Sequence, residues 1–173
     1  MKKNKSQVTG YGLRVLGLDP GTATTGWAVI EEKNGKMSPV AFGHIATSKD
    51  LSESARIAEI NKDLEKILKK YQPEEAAIEK LFFFKNKKTI ISVGQSRGAL
   101  LLTLEKNRVK IAGYTPLQVK QALTGYGKAE KCQVQLMAKN ILNLKVIPKP
   151  DDVADAIAVA ICHLNSRKNN QFK

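Results

Sequence analysis

The stretch LRVLGLDPGTATTGWAVI, residues 13–30, constrains this chain most. Leu13–Leu18 reads as a buried apolar strand, and it ends on Asp19, Pro20 and Gly21. A proline holds the residue before it extended, so the Asp19 side chain projects from the last position of a rigid strand. Gly21 then lets the chain turn sharply away, leaving room for a bulky ligand over the carboxylate. Acids are rarely buried without a partner. This one sits in a chain with 29 Lys+Arg against 16 Asp+Glu, a formal net charge of +13.

The pattern beyond this loop alternates strands and helices. TTGWAVIEE and MSPVAFGHIAT read as two further strands, with Asn34-Gly35 as the hairpin turn between them. Pro39 argues for an edge strand or a bulge. Residues 52–71 carry Ile57, Ile60, Leu64, Ile67 and Leu68 at the helical period, and Pro73 ends that helix. EAAIEKL, Glu75–Leu81, is a short strand, followed by the basic aromatic loop FFFKNKK. A helix over 89–106 carries Gly94 and Gly98 one turn apart. This small-residue stripe suits close packing on the chain's own sheet or against another chain. RVKIAGYT is a strand, and Thr115-Pro116 opens a third helix as N-cap and first-turn residue. Helices from about Glu130 to Leu144 and from about Asp151 to Asn165 complete the chain. A hairpin implies antiparallel pairing and helix crossovers imply parallel pairing. The expected fold is therefore α/β, a mixed sheet flanked by helices on both faces.

Two more places carry unexplained acids. Glu79 repeats the Asp19 pattern near the end of the apolar strand AAIEKL. DDVADAIAVAICHL sets Asp151, Asp152 and Asp155 on an otherwise almost wholly apolar helix. At roughly 100° per residue, Asp155 lies about 60° from Asp152 and about 40° from Asp151, so both pairs share a face. Val153, Ile157, Ala160, Ile161 and Leu164 point inward. Singly, each acid has a plain explanation as a turn residue, a lysine partner or first-turn dipole stabilisation. Together, strand-borne and helix-borne carboxylates suit Mg²⁺, which takes oxygen ligands and keeps several waters. Two such ions can activate a water and stabilise the leaving oxygen of a phosphodiester.

Composition narrows the partner. A surface this basic attracts polyanions, with nucleic acid foremost. The longest apolar runs are far too short to span a bilayer. MKKNKSQVTGYG has no apolar segment behind its lysines, so it is not a secretory signal. The expected location is the cytoplasm, without membrane association. Cys132 and Cys162 lie in no metal-ligand spacing and read as buried reduced thiols. His44 and His163 are isolated from them and from each other, which argues against zinc.

GLDPGTATTGWAVI, AAIEKLFFFKN, GQSRGALL, VKQALTGYGKAEKCQVQLM and DDVADAIAVAI, in this order, resemble the RuvC family of bacterial Holliday-junction resolvases. The likeness runs from about Leu13 to Leu164. It implies an RNase H-like fold with a five-stranded mixed sheet, in one nuclease domain at 13–166; residues 1–12, which have no counterpart in the family, read as a flexible basic arm, and 167–173 as a short tail. It also implies a homodimeric, Mg²⁺-dependent endodeoxyribonuclease, with two ions per site and Mn²⁺ as a substitute. Such an enzyme makes paired symmetric nicks in a four-way DNA junction, in recombination and repair alongside the RuvA–RuvB branch-migration machinery. Its catalytic and metal-binding acids fall on Asp19, Glu79, Asp152 and Asp155, leaving Asp151 as first-turn dipole stabilisation or an outer partner. Lys120 and Lys131 match DNA-binding lysines, and Phe82 matches an aromatic that inserts near the junction centre. Phe83 or Phe84 is then a core residue. The helix with Gly94 and Gly98 falls in the region associated with the dimer interface. Two other readings compete: an RNase H-like nuclease that processes RNA, and a junction-binding protein that does not cut.

Overall fold

The computed structural model describes residues 12–80 and 90–171. Five strands form one mixed sheet: β1 (Leu13–Asp19), β2 (Thr24–Lys33), β3 (Lys36–Ala46), β4 (Glu75–Glu79) and β5 (Lys110–Tyr114), in the order β3-β2-β1-β4-β5. The β1–β2–β3 meander is antiparallel, while β1–β4 and β4–β5 are parallel. Asn34 and Gly35 turn the hairpin with positive φ, 52° and 77°. Pro39 lies on the edge strand, and the β2–β3 register shifts beside it, between Val29 and Ile30. Both outcomes foreseen for that proline therefore occur.

Helices cover both faces. α1 (Glu53–Tyr71) and α2 (Ile90–Lys106) lie on one side. α3 (Pro116–Thr124), α4 (Lys131–Ile141) and α5 (Asp151–Gln171) lie on the other. The division follows the strand period of two. Leu16 and Leu18 of β1 enter the α1–α2 core with Ile60, Leu64, Leu100 and Leu104. Val15 enters the α3–α5 core with Ile157 and Ile161, so Gly17 and Asp19 share its face. On β4, Ala77 faces α5 in the same way, and so do Glu75 and Glu79.

The final helix runs to Gln171, past the end expected near Asn165, so residues 167–171 continue the helix instead of forming a tail. The segment NSRKNNQ holds no Gly or Pro to stop it. Ser166 Oγ donates to the Cys162 carbonyl at 2.8 Å, and Arg167 is anchored on Glu75 at 3.0 Å. The helix from about Glu130 to Leu144 is shorter than expected, ending at Ile141 with Leu142 as C-cap. Cys162 is buried as expected, but Cys132 is exposed in the first turn of α4.

α5 packs directly on β1 and β2 because two strand positions lack a side chain. A Cβ on Gly17 would lie 2.1 Å from the Ala156 carbonyl oxygen, and one on Gly26 would lie 1.9 Å from that of Asp152. Gly26 pairs with Asp19 across the β1–β2 ladder. The glycine that admits the start of α5 is thus the neighbour of the strand-tip acid. A buried polar cluster ties down the far half of the helix. His163 Nε2 lies 2.7 Å from buried Glu75, and Nδ1 lies 2.8 Å from the Tyr114 hydroxyl. At Gly98, by contrast, a Cβ would meet nothing within 4 Å among the described residues.

Gly26→Ala should lower stability by about 1–3 kcal/mol, the usual cost of overpacking, because the clash is with backbone that cannot rotate away. Urea unfolding measures this, and an unchanged midpoint would mean that α5 does not depend on the close approach.

Candidate active site

Asp19 and Glu79 close two neighbouring parallel strands. Leu18 pairs with Ile78, and each acid lies one residue further on. The carboxyl ends of strands in α/β sheets are where such folds bind ligands. α5 brings Asp152 and Asp155 over this edge through the Gly26 contact. All four acids are half-buried.

The electrostatics follow from crowding. Burial, then the charges of Glu79, Asp155 and Asp152, push the Asp19 carboxyl up to about 8; Lys131 opposes them. Glu79 is raised by burial and by Asp155, partly offset by a hydrogen bond shared with Asp19. Asp155 is raised chiefly by burial, against the pull of Lys131. Lys131 Nζ, on the first residue of α4, lies 2.8 Å from Asp155 and 3.5 Å from Asp151. Burial pulls the Lys131 ammonium down, but its bonds to these two carboxylates hold it above the usual lysine range. Asp151 is a different case. Lys149 at 2.6 Å and Lys131 hold its carboxyl below the usual range. Among the described residues Asp152 has no hydrogen-bond or ion-pair partner.

A cavity of about 290 Å³ opens beside the acids, lined by Glu79, Asp155, Lys120, Lys131 and apolar residues of α3, α4 and α5. The structure thus brings together six of the eight residues singled out in the sequence, with Asp151 on the rim. Phe82, with Phe83 and Phe84, and the arm at 1–11 lie outside the described residues. Sequence reasoning treated His163 as isolated and missed its bonds to Glu75 and Tyr114. It also missed the polar residues that hold the Asp19 loop.

The acids offer only oxygen donors, crowd one another, and have one lysine among them. That chemistry fits a hard divalent cation. As they stand, no three His, Cys, Asp or Glu side chains among the described residues are gathered closely enough to hold an ion. Lys131 draws Asp155 toward α4 instead.

Comparison with known proteins places this geometry. The family described as "Crossover junction endodeoxyribonuclease RuvC" matches residues 15–163. The chain belongs to the RuvC family. A relative of that name from Caldanaerobacter subterraneus subsp. tengcongensis is 55% identical over 161 residues, spanning 93% of this chain and 96% of the relative. One from Fusobacterium nucleatum is 53% identical over 154 residues, 89% of this chain and 81% of its own. Thermus thermophilus RuvC in complex with its Holliday junction substrate superposes with a TM-score of 0.86 at 33% identity, covering 91% of this chain and 96% of that one. The RuvC fold is therefore that of this chain. No described helix is long and apolar enough to cross a membrane.

The raised Asp19 carboxyl has a consequence for stability. Its folded-state value, about 8, exceeds the ordinary 3.8. The folded state then holds a proton that the unfolded chain has released. The contribution of Asp19 to stability therefore falls as pH rises from about 4 to about 8. In EDTA, Asp19→Asn should melt above the wild type at pH 8, and the gap should close near pH 4. Thermal melts across that range test it. A variant less stable than the wild type at pH 8 would mean that the carboxylate is structurally satisfied.

Proposed function

We propose that this protein resolves four-way DNA junctions, nicking two symmetric strands with Mg²⁺ held by Asp19, Glu79, Asp152 and Asp155. The observation that carries this reading is the Asp19 carboxyl. It is pushed to about 8 by burial and three other acids, at the paired ends of β1 and β4. A fold gains nothing in stability from such crowding; a cation-binding site gains its charge complement. Bound there, two ions would activate a water and stabilise the leaving oxygen of the phosphodiester, with Mn²⁺ able to replace Mg²⁺.

The chain's own residues do the rest. The rigid strand ends fix Asp19 and Glu79, and α5 presents Asp152 and Asp155 from above. Asp152, with no lysine partner, is the ligand. Asp151, paired with Lys149 and Lys131, orients the surroundings. Lys120 and Lys131 on the cavity wall attract the phosphate, and a cation beside the reacting group stabilises developing charge. A phosphate on Lys131 also competes with Asp155 for its ammonium, which frees that carboxylate for the metal. Phe82 stacks near the junction centre. Two copies associate through α2, where Gly98 is open among the described residues and Ile91 and Leu102 are exposed. The enzyme works in the cytoplasm with the RuvA–RuvB machinery.

An immobile four-way junction tests this. We expect symmetric nicks with Mg²⁺ or Mn²⁺, and binding without cleavage in Ca²⁺, whose looser coordination misplaces the water. Asp19→Asn, Glu79→Gln and Asp152→Asn should abolish nicking and spare binding. Asp151→Asn should cost no more than roughly 10–100-fold, as for an outer partner. Full cleavage in EDTA would end this reading.

The lysines have a separate signature. If each neutralises one phosphate, Lys120→Ala and Lys131→Ala should each reduce the salt slope of junction binding by about 1. Unchanged slopes would place both away from the DNA.

A further inference from the structure

Asp19 and Glu79 face α5, yet α2, in the opposite layer, holds the backbone beside each of them. Beyond Asp19 the chain turns through Pro20, Gly21 and Thr22. Thr22 is buried; its Oγ1 lies 2.8 Å from the Ser92 carbonyl, to which it donates, and 2.9 Å from Ser96 Oγ. Ser96 is fully buried, and its hydroxyl also reaches the Ser92 carbonyl, at 3.1 Å. The Thr22 carbonyl in turn accepts from Thr47 Oγ1 at 2.6 Å, and Thr47 Oγ1 accepts from Arg56 Nε at 2.8 Å. The next residue of α2, Arg97, donates through Nε to the Glu79 carbonyl at 3.1 Å. Consecutive residues of one helix therefore grip the loop after one acid and the backbone of the other.

Such a grip has a physical reason. Strand ends fray, and Asp19 and Glu79 are the last residues of their strands. Four crowded carboxylates push those ends apart. Buried hydroxyls are costly unless paired, so the Thr22–Ser96 contact is strongly enforced. Catalytic geometry must be held to about 0.5 Å by such supporting contacts.

We infer that α2 is a positioning clamp: the Thr22–Ser96 hydroxyl pair and the Arg97 bond to the Glu79 carbonyl set the spacing of the two strand-borne carboxylates. Displacement of α2 then moves both acids together. This rests on the function proposed above, with Thr22, Ser96 and Arg97 as positioning residues that act through Asp19 and Glu79.

The test is single-turnover nicking of a four-way junction in Mg²⁺ at saturating protein, paired with hydrogen exchange in the absence of DNA. Thr22→Val and Arg97→Ala should each slow nicking roughly 10–100-fold, as loss of an outer support does. Junction affinity in Ca²⁺ should stay within about twofold. The Mg²⁺ concentration giving half the maximal rate should rise, and Thr22→Ser should restore the wild-type rate. Amides of residues 21–25 should exchange faster in Thr22→Val. If Thr22→Val does not fold, Ser96→Ala, which spares the Thr22–Ser92 bond, should show the same shift in Mg²⁺ dependence at smaller size. Wild-type rates in both Thr22→Val and Arg97→Ala would overturn the clamp. So would a loss that merely tracks the unfolded fraction. If the wild-type protein does not nick the junction, the proposed function fails instead, and unchanged exchange in Thr22→Val would then overturn the clamp independently.

Discussion

The close approach of α5 to β1 and β2 is the contact on which the rest depends. Helices ordinarily stand off a sheet by the length of their side chains. Here Gly17 and Gly26 let the helix backbone rest on the strands, with the Ala156 and Asp152 carbonyls where a Cβ would be. That contact fixes the height of α5, and the height decides whether the helix-borne acids can reach those on the strands. Because Gly26 is the ladder partner of Asp19, the same contact aligns the two groups along the strand. Packing and site assembly are one event in this fold.

Crowding the acids opposes stability, and the fold resists it with rigidity. The α3–α5 core is almost wholly apolar and buried from Val153 to Leu164. At the other end of β4, Glu75 binds His163 and Arg167, so α5 is pinned to the strand at a distance from the acids. Glu75 and Glu79 thus sit on one face of one short strand with opposite fates. The first is satisfied by a histidine and an arginine. The second faces other carboxylates. The carboxylate with cationic partners ties α5 to the sheet; the one set among other acids is held above its usual range by burial and by Asp155.

Much of this was legible in the sequence because the signals were local. Period-two and helical patterns located the elements, Asn34-Gly35 marked the hairpin, and Asp-Pro-Gly marked the tip of a buried strand. Asp19, Glu79 and the acids of DDVAD stood out because they broke the apolar pattern around them, but only the family resemblance chose Asp152 over Asp151. What escaped was non-local or contextual. His163 is silent in sequence because Glu75 lies 88 positions away. The Thr22–Ser96 pair spans 74 positions and uses residues that look like ordinary polar filler. The end of α5 was misplaced because its last turns carry no stop signal, and an arginine–glutamate bond across the fold extends the helix. That Gly98 meets no described side chain or backbone of its own sheet could not be told from close packing, since both favour glycine.

The sheet's edges carry a last consequence. On one side β3 is long, but Pro39 removes a backbone donor and the neighbouring register shift bends the ladder. On the other, β5 has only five residues. Neither offers the long flat row of unpaired backbone groups onto which a foreign strand could add. A chain that handles long polyanions would bring many copies close together on one strand of DNA. Blunted edges keep such congestion from becoming strand-to-strand aggregation, and they reserve side-chain surfaces, with their greater selectivity, for whatever contacts the copies do make.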